Sequence, residues 1–207
     1  MLNAEVLTFQ EFVTQEPLPL STIQGAVFEF LQGRDDAVLF GAQAVNAYVS
    51  EPRATQDVDI LSTRARELAG ELREYLTDRF HISIRIREIG DRKRFRDYKT
   101  RKEGNRHLVN IRPVDVIPAT EAFEVIRVLS PAELIASKII SFDSRFSKSK
   151  SWTDRRDLTV LLLRFPRLKA KDSEVSEILL RRQAIESAFR VWNELWKLIW
   201  NLKTTTI

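Results

Sequence analysis

The sequence predicts an α+β fold, a mixed β-sheet flanked by helices and followed by a C-terminal helical region. Two observations carry the prediction. Up to residue 129, short apolar or alternating segments that read as strands interleave with segments of helical period, in the order helix, strand, helix, strand, helix, several strands. From Ser130 onward every periodic segment is helical. A run of that order gives a sheet with helices against it, so residues 1–129 are expected as a catalytic-type α+β domain and residues 130–207 as a helical region packed on it.

Taken in order, Ser21 is expected to cap a helix carrying Ile23, Val27, Phe30 and Leu31, with Gly33 as its stop. AVLFG reads as a buried strand, AQAVNAYVS as a helix opening straight after Gly41, and Ser50 to Gln56 as a loop held by Pro52. DVDIL is the next strand. Arg64 to Phe80 is a helix with Leu68, Leu72, Tyr75 and Leu76 on one stripe. HISIRIREI alternates, Ile82, Ile84 and Ile86 facing one way and Arg85 and Arg87 the other, which is the pattern of a half-buried strand. DRKRFRDYKTRKEGNR reads as a basic, turn-containing link or a hairpin with its tip near Glu103-Gly104-Asn105; HLVNIRPVDVIPA is a strand broken or edged at Pro113, and FEVIRVL a further short one. Ser130-Pro131-Ala132-Glu133 is a helix start signal. A second helix runs from Thr153 to Leu163, and a last one from about Ser173 to Leu202 carries Ile178, Ile185, Phe189, Trp192, Trp196 and Trp200. The tryptophan stripe fits packing on its own domain, with a homodimer contact as the competing use.

With 207 residues, 43% of them hydrophobic and 30% charged, the chain can bury a real core. No run reaches the length of a membrane span, and MLNAEVLTFQEF lacks the layout of a signal peptide. The absence of cysteine excludes disulfides and thiolate metal sites and favours a cytoplasmic setting. Net charge is +4, but Arg79 to Arg106 holds eleven Lys/Arg against four Asp/Glu, so the excess is local and fits either a polyanionic partner or a solvated hairpin with basic sides.

The chemistry concentrates in FGAQAVNAYVSEPRATQDVDIL. Asp57 and Asp59, two apart on a strand, point to the same face while Val58 and Ile60 point to the other. Like charges set close together in apolar surroundings need compensation. A pair of parallel carboxylates is a hard oxygen site suited to Mg²⁺. Asp115, between Val114 and Val116, offers a third carboxylate and with it a two-metal arrangement; its competing role is a strand-end pair with Arg112. Gly41 at a strand-to-helix turn lets backbone approach a phosphate, where the helix N-terminus presents free N–H groups, that of Ala42 included. Arg53 and Lys138 are candidates to neutralise a triphosphate, Arg53 otherwise binding its own loop and Lys138 otherwise pairing with Asp157. His81 and His107 have no partners at metal or catalytic spacing and read as ordinary strand-end residues.

F-G-A-Q-A followed by P-R-A-T-Q-D-V-D-I-L resembles the opening signature of the nucleotidyltransferase (polymerase beta-like) superfamily. The Pro-Arg-x-Thr-x-Asp-x-Asp form is most similar to bacterial abortive-infection and toxin–antitoxin nucleotidyltransferases, and VDVI, SPAELIASKII and TDRRDLTVLL resemble later segments of that branch. The resemblance runs in pieces from Val38 to Leu163. It implies a sheet on which Asp57 and Asp59 bind Mg²⁺ and Asp115 helps activate an acceptor hydroxyl, with a nucleoside monophosphate moved from an NTP as pyrophosphate leaves. It also implies an RNA or protein acceptor and a cognate antitoxin, although the superfamily includes enzymes with small-molecule acceptors. Ala42 departs from the pattern, which has serine or glycine there, so a hydroxyl contact to the triphosphate is lost. The competing expectation is a non-catalytic nucleotide-binding module of the same fold, or one working through nucleic acid bound by its basic segment.

Overall fold

Strands β1 (Ala37–Phe40) and β2 (Val58–Ser62) lie at the heart of a seven-stranded mixed sheet in the computed structural model, which describes residues 19–90, 94–99, 106–170 and 172–203. The other strands are β3 (Ile84–Ile89), β4 (Arg94–Lys99), β5 (Arg106–Pro113), β6 (Thr120–Phe123) and β7 (Ile126–Leu129), in the spatial order β3-β4-β5-β2-β1-β7-β6. β1 runs antiparallel to β2 and parallel to β7, and β2 parallel to β5; the remaining pairs are antiparallel. The mixed α+β architecture is therefore the one the segment order predicts. The chain divides into two compact units, residues 1–129 and 130–207.

In the first unit, helix α1 (Leu20–Leu31) starts directly after Pro19 without a side-chain cap, so Ser21 lies inside the helix rather than capping it. Gly33, at φ +71°, ends it as expected. Helix α2 (Gly41–Tyr48) opens from the last residue of β1, and α3 (Ala65–Phe80) buries Leu68, Leu72 and Leu76 across β2 to β5. Central β1 is buried along its whole length, as a strand covered on both faces must be.

Two stretches refine the sequence expectation. Arg94 to Lys99 is an inner strand of the sheet, paired with β3 and β5, so of the link and the hairpin it is the hairpin that forms; its arginines hid the alternation, because Arg94 and Arg96 occupy one face and Phe95 and Asp97 the other. The expected tip at Glu103-Gly104-Asn105 lies outside the described residues. FEVIRVL is not one strand but the hairpin of β6 and β7, with Glu124 at φ +55° in its turn.

The second unit is helical: α4 (Pro131–Ser144), α5 (Lys150–Arg164), a short 3₁₀ turn (Pro166–Lys169), α6 (Glu174–Arg181) and α7 (Glu186–Lys203). Ser130 caps α4 by accepting from the Glu133 amide at 3.4 Å. The expected single terminal helix is two helices. Gln183 adopts φ +52°, and the Ala184 amide bonds back to Leu179, a closing geometry that stops α6 and turns the chain. Ile185 falls in that break and is exposed rather than on the apolar stripe. Trp192 is buried and donates its indole N–H to Ser176 at 3.0 Å, so this member of the tryptophan stripe is core; the side chains of Trp196 and Trp200 lie outside the described residues. Among the described residues no helix is long and apolar enough to cross a membrane.

Asp97 is the exception in the first unit's core. It is fully buried on the face covered by α3, beside Ile86 and Val109, and neither carboxylate oxygen has a hydrogen-bond partner. Burial pushes its pKa up to about 7, against a small opposing pull from Arg73. The native state therefore holds this proton more tightly than the unfolded chain, so folding weakens as pH rises from the unfolded value through about 7. Asp97→Asn removes that dependence. Urea denaturation should show the variant gaining on wild type between about pH 4 and pH 7, then holding a constant advantage with an upper bound of about 4 kcal/mol. A difference that does not change with pH would mean that Asp97 is ionised in both states.

Candidate active site

The β1–β2 register sets Phe40 opposite Asp59, so the turn from β1 into α2 falls beside the Asp59 side chain. Gly41 makes that turn at φ +72°. A Cβ at this position would stand 2.3 Å from Asp59 Oδ2 and 2.9 Å from its Cγ. Only glycine allows both the left-handed turn and this approach. The first turn of α2, uncapped by any side chain of Phe40, brings its backbone N–H groups to the same end of the strand pair. Ala42 is buried, so its contribution to this corner is backbone.

On the other side of β2, parallel pairing sets Asp59 opposite Asn110 of β5, and Asn110 Nδ2 donates to Asp59 Oδ1 at 2.7 Å. Asp59 is the one position in β2 that is not buried. Asp57 immediately precedes the strand. Its Oδ2 lies 3.4 Å from His107 Nδ1, while His107 Nε2 lies 3.1 Å from the Val109 carbonyl. Burial holds the His107 pKa below its ordinary value, outweighing the opposing pull of Asp57. Both carboxylates are half-buried, each with a polar neighbour that orients it.

The loop before the aspartates is tied to α2 by a chain of buried amides. Asn46 accepts from the Arg53 amide at 3.1 Å and donates to the Arg53 carbonyl at 2.8 Å. Gln43 donates to Gln24, which donates to the Thr55 carbonyl at 3.0 Å. Thr55 in turn donates its hydroxyl to the Asp57 carbonyl at 3.3 Å. Arg53 thus has its backbone clamped, and its guanidinium reaches the Ala54 carbonyl at 3.3 Å.

Asp115 is exposed, and Lys138 is engaged by acids of its own unit. Asp115 is not on a strand. β5 ends at Pro113, which has no N–H to continue the ladder, and after one further bond from the Val114 amide to Ser62 the chain bends away with Asp115 and Val116 exposed. Among the described residues no three His, Asp or Glu side chains gather as a metal-holding group, so Asp115 does not complete a triad with Asp57 and Asp59. Lys138 belongs to the second unit, where its ammonium is nearly buried and bonded to Asp157 at 2.7 Å and Asp154 at 3.3 Å. Asn110, His107, Gln24, Gln43 and Asn46 are the residues sequence reasoning missed. Asn110 carries the same signal that drew attention to Asp115, a polar residue inside an apolar strand, and Asn46 is its counterpart in an apolar helix.

The sheet face that carries Asp59 continues outward as a basic surface. Register places Phe40, Asp59, Asn110, Arg96 and Arg87 in one row across five strands, and alternation puts Arg85, Arg94 and Arg112 on the same face. Arg112 also lies over the Phe40 ring at 4.8 Å.

No protein-family model and no curated protein matches the chain in sequence. Solved structures do match in fold. JHP933 from Helicobacter pylori superposes with a TM-score of 0.54 at 16% identity, covering 94% of this chain and 93% of that one. ANT(2")-Ia in complex with adenylyl-2"-tobramycin gives 0.51 at 17% identity, over 86% of this chain and 100% of that one. The Megavirus polyadenylate synthase gives 0.60 at 12% identity over 80% of this chain, which spans only 38% of that longer protein. The chain has the fold of the nucleotidyltransferase superfamily.

Gly41→Ala should lower stability by at least about 1 kcal/mol in chemical denaturation, since a side chain there meets both left-handed strain and the Asp59 carboxylate. An alanine variant as stable as wild type would show that this contact is not close in solution. Asn46→Ala should lose about 1–3 kcal/mol, because it strands two backbone groups of Arg53 in a partly buried loop; a loss under half that would mean that water replaces the amide freely.

Proposed function

We propose that the protein is a Mg²⁺-dependent nucleotidyltransferase that moves a nucleoside monophosphate from an NTP to an acceptor hydroxyl. The observation that carries the reading is the pairing of Asp57 and Asp59 with the Gly41 turn and the uncapped start of α2. Two carboxylates with ordered neighbours fit Mg²⁺ that takes its remaining oxygens from substrate phosphates, its usual manner of binding. The metal, when bound, supplies positive charge against the triphosphate and the charge developing on it.

Asp57 and Asp59 would hold the Mg²⁺ that accompanies the triphosphate. Asn110 and His107 fix the rotamers of those two carboxylates, and Gly41 with the amides of α2 leaves room and donors for phosphate oxygens. The acceptor hydroxyl oxygen bonds to the α-phosphorus as the bond to the bridging oxygen breaks; pyrophosphate departs and the hydroxyl proton passes to solvent. Neither Asp115 nor Lys138 has a part in this reading. The arginine face beside Asp59 supports a polyanionic acceptor, RNA above all. The resemblance of the Pro-Arg-x-Thr-x-Asp-x-Asp segment extends the proposal to a toxin-like, cytoplasmic enzyme with a cognate antitoxin as partner.

A second reading, a nucleotide-binding module without catalysis, is favoured by one observation: Asn110, not a third carboxylate, faces Asp59 from β5.

A thermal-shift titration with ATP, GTP, CTP and UTP, with and without Mg²⁺, tests the donor site without knowledge of the acceptor. One NTP should raise the melting temperature in a Mg²⁺-dependent way, by an increment that grows with the logarithm of its concentration. The rise should vanish in Asp57→Asn/Asp59→Asn. No shift with any NTP would overturn the donor site. A shift without transfer of the α-phosphate label to any RNA, protein or small-molecule acceptor would favour the second reading.

A further inference from the structure

The turn between α4 and α5 exposes two large aromatic side chains on a basic surface. Phe146 is 73% and Trp152 69% exposed. Lys148, Lys150 and Arg155 around them are exposed too, and none of the three has a carboxylate partner among the described residues. From Ser141 to Arg156 there are five Lys/Arg against two Asp. Both acids are already engaged: Asp154 is buried between Lys138 and Arg145, at 3.3 and 3.2 Å, and Asp143 accepts from Ser187 at 2.8 Å. The charge of Asp154 is thus met from beneath, and of the segment's acids Asp143 alone opposes Lys148, Lys150 and Arg155 on the outside of the turn.

The turn is also built to hold its rings still. Phe146 meets Phe142 edge to face at 5.7 Å, and the Arg155 guanidinium lies over the Trp152 ring at 5.7 Å. Ser151 donates its hydroxyl to the Phe146 carbonyl at 3.4 Å, and the Lys148 and Ser151 amides close successive turns at 2.8 and 2.9 Å. Beneath them the Lys138–Asp154–Arg145 network clamps α4 to α5. Solvent-facing aromatics on a rigid base, ringed by unpaired cations, match the two halves of a nucleotide: a π-face to stack and a phosphate to neutralise.

We propose that this turn binds single-stranded nucleic acid, with bases stacked on Trp152 and Phe146 and the backbone tracked by Lys148, Lys150 and Arg155. A duplex hides its base faces and would meet only the cations. The site lies wholly in the second unit and does not depend on nucleotidyl transfer.

The test is fluorescence anisotropy of a labelled single-stranded RNA of about 12 nucleotides, within the span such sites cover, titrated with the full chain in the absence of NTP. Wild type should bind in a salt-dependent manner and prefer the single strand to a duplex of the same sequence. Phe146→Ala/Trp152→Ala should weaken binding at least about tenfold with little change in the salt slope, and Trp152→Phe should restore much of it. Lys148→Gln/Lys150→Gln should weaken binding and flatten that slope. Circular dichroism of each variant checks its fold, which exposed substitutions leave intact. Phe146→Ala/Trp152→Ala should keep the Mg²⁺-dependent NTP thermal shift of wild type, so failure at the donor site and failure here read out separately. No binding by wild type, equal affinity for the duplex, or equal affinity in the double aromatic variant would overturn the proposal. If sedimentation showed that variant losing self-association while its RNA affinity held, the turn would be a protein contact instead.

Discussion

The close approach of the Gly41 backbone to the Asp59 carboxylate is the constraint around which the first unit is organised. It requires a residue without a side chain in a left-handed turn, an antiparallel register that sets Phe40 against Asp59, and a helix that begins at once. A one-residue slip of β2 against its neighbours would turn Asp59 to the opposite face of the sheet, away from Gly41 and Asn110. Parallel pairing with β5 completes the arrangement, because it delivers Asn110 to the free side of the same carboxylate. The buried amides of Gln24, Gln43 and Asn46 then carry the rigidity of α1 and α2 into the loop that leads to Asp57. Polar groups at such depth are tolerated because each finds a partner.

The two faces of the outer sheet handle charge in opposite ways. Arginines at alternate positions of β3, β4 and β5 line the face that continues from Asp59, where solvent and any phosphate can reach them. On the reverse face Glu88 pairs with Arg66 of α3 at 2.9 Å, whereas Asp97 is sealed under α3 without a hydrogen bond and stays protonated up to about neutral pH. A strand that must be apolar on one side and cationic on the other leaves an aspartate no ionised place to stand. This explains why the charge of this segment is so uneven when the chain as a whole is nearly balanced.

In the second unit charge is used for joinery. Lys138, Asp154, Asp157 and Arg145 knit α4 to α5, and Glu133, almost wholly buried, is met by Arg181 and Arg182 from the end of α6. Buried ion pairs add little net stability over apolar packing, yet removing one partner leaves the other uncompensated, so they specify which helices meet and in what register. The exposed aromatic turn sits directly on this network.

Much of this was legible in the chain alone. The order of strands and helices, the Ser130 start signal, and the stripe of Leu68, Leu72 and Leu76 all follow from local periodicity and from the chemistry of single residues, which act within a few positions of themselves. The partners were not legible. Asn110 against Asp59, His107 against Asp57 and Asn46 around Arg53 depend on strand register and on loop closure, which join residues far apart in sequence. Asp115 left its strand for a local reason, the proline that ended the ladder, whereas a partner distant in sequence drew Lys138 into an internal ion pair. Local pattern told which residues carry chemistry; pairing across the sheet and burial settled which of them stand together.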